Sequence, residues 1–315
     1  MNRIFTLIAL LALLEGVAQA EHYMYAGDFM NLGVGARPLG MGGTGSTLPD
    51  EGSAPYWNPA SLGMSEKSHA LAMHCIAFDG LSMYDYIGGF ARFNRWSVGA
   101  AWLRLGVDDI ILTHFDDPED PNRRPVVDST ISWSENAIYL SGAYAFSPAL
   151  AVGANLKAIL QGGGSYSSTG FSPDAGVYWK PDPNWDLALS IHNPGGYISW
   201  STGARDTIDM FFRPAVRYHF TLDEQEKHRV SVALESDVFA QDYGSAAMFS
   251  SSAISTDVRA GLEWQYSLFA LRGGVDRGNP TAGAGIHWQM FSADYAFLSS
   301  GELGISHRVS AGVSF

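Results

Sequence analysis

The last eleven residues alternate between two kinds of side chain. Ile305, Val309, Ala311, Val313 and Phe315 fall in one register, and Ser306, Arg308, Ser310, Gly312 and Ser314 in the other. Successive side chains of a strand point to opposite faces, so one face here is apolar, the other polar, and the segment closes on an aromatic ring. The same period of two recurs upstream. Leu150, Val152, Ala154, Leu156 and Ala158 alternate with Gly153, Asn155 and Lys157. Phe212, Val216, Tyr218 and Phe220 alternate with Arg213, Arg217 and His219, and Val258, Leu262, Trp264 and Tyr266 with Arg259, Glu263 and Gln265. Runs of about ten residues match the ~9–11 of a tilted membrane strand and exceed the ~5–6 of a typical soluble one.

Such runs centre near residues 73, 87, 100, 140, 155, 175, 188, 214, 233, 261, 272, 285, 295 and 310. They predict an all-β chain: a transmembrane antiparallel β-barrel of about fourteen strands over residues 67–315, an even number as bacterial barrels have. Alternate connections are mostly short (Asn94-Arg95, Ser147-Pro148, Pro181 to Asn184, Ser267), whereas 107–133, 161–169, 193–208 and 240–256 read as longer polar loops. Barrels have short periplasmic turns and longer outer loops, which sets the expected orientation. Lipid cannot satisfy a free sheet edge, so the sheet must close. Arg217, Arg259, Arg272 and Arg308 all lie in the polar register and belong on the inner face. A lipid-facing Arg near the midplane costs roughly 2–4 kcal/mol. Trp102, Trp179, Trp185 and Trp264 are candidates for interfacial girdles.

The one long apolar run stands at the start. Arg3, the stretch Ile4 to Leu14, and Ala18-Gln19-Ala20 read as a secretory signal peptide over residues 1–20, with cleavage near Ala20. Residues 21–66 are of another kind. They contain GVGARPLGMGGTG and YWNPASLG, too rich in Gly and Pro for a strand and too apolar for a disordered linker. They read as an N-terminal hatch or plug. Composition adds two limits. Charged residues are 16% of the chain, below the ~25% of average soluble proteins. That fits a barrel, but composition alone leaves a soluble β-rich protein open. The net charge of −13 argues against nucleic acid. Cys75 is the single cysteine and reads as a small buried hydrophobe.

The segment AGDFMNLGVGARPLGMGGTG followed by YWNPASLG resembles the N-terminal signature of the PorV/PorQ family. The stretch from NLKAILQGGG to SIHNPGG and the close ADYAFLSSGELGISHRVSAGVSF are similar to that family too. The family is related to FadL-type channels, fourteen-stranded barrels with an inward-folded hatch that also carries Asn-Pro-Ala. Asn58, Pro59 and Ala60 match it. The resemblance implies a non-enzymatic outer-membrane barrel that serves type IX protein secretion as an accessory or shuttle. Its partners would be outer-membrane lipid, the translocon barrel and secreted cargo, and the barrel assembly machinery would read Phe315 as its C-terminal signal. The alternative is a FadL-like channel for long-chain fatty acids or other hydrophobic solutes. The hatch motif then comprises Gly35, Arg37, Gly40, Met41, Gly42, Asn58, Pro59 and Ala60, with Arg37 facing an inner carboxylate such as Glu235 or Glu263. In the channel reading Leu39, Met41, Tyr56 and Trp57 line an apolar pocket between hatch and wall.

Other chemistry is sparse. Asp116, Asp117, Glu119 and Asp120 cluster but are broken by Pro118 and Pro121, without EF-hand spacing, and read as a solvated acidic loop. The histidines show no HExxH or other metal spacing. Ser306 and His307 are adjacent and face opposite sides, and no GxSxG is present, so neither enzyme activity nor a cofactor is expected.

Overall fold

A computed structural model of the chain describes residues 26–115, 124–223, 227–299 and 304–315. The signal-peptide reading with cleavage near Ala20, and the acidic group Asp116 to Asp120, lie outside the described residues. Among the described residues seventeen strands form one antiparallel sheet, and fourteen of them build the wall. In chain order these are β1 (His69–Ala77), β2 (Ser82–Phe93), β3 (Trp96–Phe115), β4 (Pro125–Ser147), β5 (Leu150–Gly163), β6 (Tyr166–Asp182) and β7 (Trp185–His192). There follow β8 (Phe211–Thr221), β9 (His228–Phe239), β10 (Ser255–Tyr266), β11 (Phe269–Asp276), β12 (Asn279–Trp288), β13 (Phe291–Ser299) and β14 (Ile305–Ser314). All fourteen expected centres fall inside these strands. The three short extra strands, Tyr197–Trp200, Arg205–Thr207 and Phe249–Ser250, extend the sheet at the long-loop end.

Each wall strand pairs with the next, and β14 returns to β1 from His69↔Ser314 to Ile76↔His307. The terminal Phe315 adds the last rungs: its N–H donates to the Ser68 carbonyl (3.0 Å) and its carbonyl accepts from Ser68 N–H (2.9 Å). The sheet is thus a closed barrel, the one sheet form that leaves no edge for lipid. Its faces are inverted relative to a soluble protein. Outward positions carry Val98, Leu140, Leu156, Leu189, Leu262 and Val309, each at least 48% exposed. Inward positions carry Lys157, Asp174, Arg217, Glu263, Arg272 and Arg308, each at most 9% exposed.

Aromatic rings gather at the short-turn end. Trp179, Trp185 and Trp264 lie there with Trp96, Tyr144, Phe146 and Tyr218, and centroids pair at 4.7 Å for both Trp96–Tyr144 and Trp185–Tyr218. Trp102 does not belong to this belt. It sits further along β3, where its Nε1–H donates to Asn136 Oδ1 (3.2 Å).

The connections depart from the sequence-based expectation in two places. Residues 107–115 and 125–133, and most of 161–169, are strand, not loop. The β2–β3 pairing stops at Met83↔Gly106, and β5 first meets β4 at Trp133↔Gly163. Above those points β3 and β4 pair only with each other, out to Phe115↔Pro125. β-branched residues such as Ile110, Ile111, Val126, Val127 and Thr130 favour the ladder here. Polar neighbours such as Asp108, Asp109, Asp128 and Ser129 hid it in the sequence. In the other case β5 and β6 continue to a tight turn at Gly164, whose φ of +57° suits glycine.

Leu140 tests the inverted faces. With 61% exposure on the outward side of β4, Leu140→Arg is expected to cost about 2–4 kcal/mol of folding free energy in vesicles. Reversible urea titration measures it, and a cost near zero would contradict a lipid-facing position.

Candidate functional site

Residues 26–65 run inside the ring of strands, and nearly every residue from Gly33 to Leu48 is buried. Glycine and proline shape this segment into short pieces. Gly35 and Gly42 take φ of +83° and +70°, either side of helix α1 (Ala36–Gly40). Pro55 stands in the first turn of helix α2 (Ala54–Trp57), where its missing N–H costs nothing. Pro59 holds Asn58 in the extended region, and the Asn58 Oδ1 accepts from Ala60 N–H (3.0 Å), capping the 3-10 turn Pro59–Gly63.

Strands around the whole ring hold the segment. Ser310 Oγ on β14 accepts from Ala36 N–H (2.7 Å), and Thr281 Oγ1 on β12 from Gly42 N–H (3.0 Å). Glu235 on β9 accepts from Ser46 N–H (2.9 Å), and Tyr178 on β6 donates to the Thr47 carbonyl (3.2 Å). Asn155 on β5 donates to the Pro55 carbonyl (2.8 Å), Tyr86 on β2 to Gly52 (3.1 Å), and Ser97 on β3 to Leu62 (2.9 Å). Asn58 Nδ2 donates to Val177 O on β6 (3.3 Å). The approach is close enough to demand glycine. A Cβ on Gly42 would meet the Val275 carbonyl oxygen at 2.7 Å, and one on Gly176 would collide with the Asn58 amide.

The inner wall has two unlike halves. On the charged half, Arg37 pairs with Glu263 through Nε and Nη2 (both 2.9 Å) and with Asp50 (3.1 Å), and lies 3.9 Å from Glu51. Glu263 also takes Arg272 (2.6 Å), which reaches on to Asp294 (2.7 Å). A second chain links Arg213 to Asp237 (2.6 Å), and Arg259 to Asp237 (2.7 Å) and Asp276 (3.0 Å). Arg217 pairs with Asp186 (2.8 Å) and Lys157 with Asp174 (2.6 Å). Of the two carboxylates expected opposite Arg37, the ring brings Glu263. Glu235 instead lies 3.4 Å from Arg213. Burial pushes the Glu51 carboxyl up to about 8 despite the nearby Arg37.

The other half is apolar. Met73 and Cys75 on β1, Tyr84 and Tyr86 on β2, Leu103 on β3, Tyr139 on β4 and Ile159 on β5 form one buried cluster. Phe29, Met30, Leu39, Tyr56 and Trp57 of the inner segment join it. Leu39, Tyr56 and Trp57 are thus brought together, the last two as an edge-to-face pair at 5.1 Å. Met41 is not with them: it packs against Leu48 and Ala233.

Cavities open at both mouths. One of about 450 Å³ at the short-turn end lies between Arg37, Asp50, Glu51, Lys67 and the ends of β1, β12, β13 and β14. One of about 240 Å³ at the opposite mouth lies between Asp28, Asn31, Leu32, Asp209, Tyr243 and Arg259. Between them a water-sized void of about 10 Å³ touches Tyr56, Lys157, Asp174, His192 and Arg213.

One arrangement escapes sequence reading. Ser190 Oγ lies 2.9 Å from His192 Nε2, and His192 Nδ1 lies 3.5 Å from Asp174. A Ser-x-His on one face of a strand is the only sequence signal for it. Asp174 is tied more closely to Lys157, and Ser190 lines none of the three cavities, so the trio serves as a buried polar network. Among the described residues no three His, Cys, Asp or Glu converge as a metal site.

Comparison with known proteins places the fold. The Ralstonia pickettii toluene transporter TbuX superposes with a TM-score of 0.58 at 13% identity, over 90% of this chain and 97% of its own. The monoaromatic hydrocarbon channel CymD gives 0.55 at 12%, over 90% and 97%. A Pseudomonas aeruginosa FadL homologue gives 0.53 at 12%, over 90% and 98%. No protein-family model and no curated protein matches the sequence. The chain therefore has the fold of the FadL-type outer-membrane barrels, and these structural neighbours are transporters and channels, not enzymes.

Arg37 is the keystone of the charged half. Its removal takes one of two cations from the buried Glu263 and the nearest cation from Asp50. Arg37→Met is expected to cost about 3–5 kcal/mol. Arg37→Met/Glu263→Gln should cost less than the two single changes together, because Arg272 keeps Asp294. Urea unfolding of the four proteins checks the cycle, and strict additivity would contradict the shared network.

Proposed function

We propose that the protein is an outer-membrane passage for hydrophobic small molecules, with residues 26–65 as its hatch. The observation that carries this is the apolar half of the inner wall. Met73, Cys75, Tyr84, Tyr86, Leu103, Tyr139 and Ile159 face the apolar side of the inner segment in one cluster. A lumen for polar solutes is lined by polar groups and water. Here an apolar seam lies beside a half of paired charges, and movement of the hatch away from that seam opens an apolar path. The cavities at the two mouths give such a path an entrance and an exit. Likeness of fold to a toluene transporter and a monoaromatic hydrocarbon channel supports the same reading.

On this account the mature chain sits in the bacterial outer membrane with its short turns in the periplasm. Lipid contacts the outward register, and the assembly machinery reads Phe315. The accessory role in type IX secretion, with the translocon barrel and cargo as partners, is the second reading. It is favoured by the β3–β4 ribbon above Gly106, which presents Ile111, Leu112 and Val127 to solvent.

Uptake separates the two. Cells lacking their own hydrocarbon channels and expressing this barrel should take up radiolabelled toluene several-fold faster than cells with an empty vector. Equal uptake at matched barrel levels would contradict the channel reading, and secreted cargo held back on gene deletion would favour the second.

A further inference from the structure

One network in the charged half is short of cations. Asp50, Glu51, Glu263 and Asp294 share two guanidiniums, Arg37 and Arg272. Glu263 takes both, and Asp294 takes Arg272, with His287 of β12 3.4 Å away. Glu51 is left over. It is 6% exposed, its Oε1 finds no hydrogen-bond partner, and its Oε2 lies 3.9 Å from Arg37 Nη1. The groups that face it are Arg37 and Asp50 of its own segment, Tyr86 on β2, Arg272 on β11 and Asp294 on β13. Burial and the two neighbouring carboxylates outweigh the guanidiniums, which is why the Glu51 carboxyl stands at about 8.

Glu51 and Asp50 border the cavity of about 450 Å³ at the short-turn end, and Pro49, Met64 and Leu71 give that cavity an apolar side. Lys67, Lys180 and Arg229 border it too. Lys67 and Arg229 are exposed and Lys180 is half-buried, so water and salt screen these charges far more than the buried Glu51. Among the described residues the carboxylates do not converge as a metal site. An ammonium group needs less: it carries its charge on one atom, with three donors for carboxylate oxygens.

We propose that this cavity is a binding site for a primary ammonium ion with a small apolar body: the ammonium bridges Glu51 and Asp50, and the body lies against Pro49, Met64 and Leu71. The ligand supplies the cation that the network lacks. Glu51 pairs with it as the carboxylate, so its proton passes to the buffer on binding. Affinity therefore rises with pH up to about 8 and then levels, while a primary amine, with a pKa near the ~10 of lysine, stays charged. The site lies apart from the apolar seam and does not rest on the channel reading.

The test compares 2-phenylethylamine with 2-phenylethanol, one apolar body with two heads. Isothermal titration calorimetry, in two buffers of unlike ionisation enthalpy, uses the full-length barrel in an uncharged maltoside detergent. At pH 7 the wild type should bind the amine at least tenfold tighter than the alcohol and release about one proton per amine bound. Raising the pH to 8.5 should tighten amine binding roughly eightfold and leave the alcohol unchanged. Glu51→Gln keeps the shape and removes the charge. It should abolish the preference, the proton release and the pH dependence, and leave the alcohol within twofold. Heat-modifiable gel mobility reports folding at the same time. Should Glu51→Gln not assemble, Asp50→Asn carries the comparison, with the preference lowered at least threefold and the proton release kept. Equal binding of amine and alcohol by the wild type, amine binding without proton release, or a preference that survives Glu51→Gln overturns the site. Each of these outcomes leaves the channel reading standing.

Discussion

Everything in this molecule follows from one constraint: in lipid, a backbone N–H or C=O finds a partner within the protein or goes without. Fourteen antiparallel strands meet it by closing on themselves, β14 onto β1, with the pair Ser68–Phe315 completing the ladder. Closure fixes which way each side chain looks. Period two sends Leu140, Leu156 and Val309 to the lipid, and Lys157, Glu263 and Arg308 to the interior. The polar groups are therefore inside, where burying them is costly unless each is matched.

The inner segment is the answer to that cost. Residues 26–65 bring backbone donors to Ser310, Thr281 and Glu235, backbone acceptors to Tyr86, Ser97 and Asn155, and one guanidinium to Glu263. Glycines on both sides of the contact, such as Gly42 facing Gly274, let backbone meet backbone. The charged half is locked by paired networks. The apolar half is held chiefly by packing, with Tyr84 donating to the Phe29 carbonyl (3.0 Å) and Tyr86 to the Gly52 carbonyl (3.1 Å) as its cross-links to the inner segment.

Much of this is legible in the sequence, and the boundary is physical. Alternation is a local signal, so every strand centre, the inward arginines and the buried Cys75 can be read from residues two apart. The Gly-Pro density of residues 33–63 likewise marks a segment that is neither strand nor linker. Ladders that carry polar residues are harder to see, which is why 107–133 reads as a loop. Contacts across the ring are not local at all. Sequence offers Glu235 and Glu263 equally to Arg37, and only the ring decides between them. It cannot separate Met41 from Leu39, place Ser190 beside His192 and Asp174, or show that, among the described residues, Arg308 is the one of seven buried cations without a carboxylate.

The central claim is that the apolar half of the lumen accepts a hydrophobic solute. The most direct measurement is anomalous diffraction from crystals of the barrel soaked in 4-bromotoluene. Bromine density inside the ring, between the inner segment and the wall formed by Tyr84, Leu103, Tyr139 and Ile159, is the predicted result. Bromine confined to the outer, lipid-facing surface, with the interior unchanged, would contradict it.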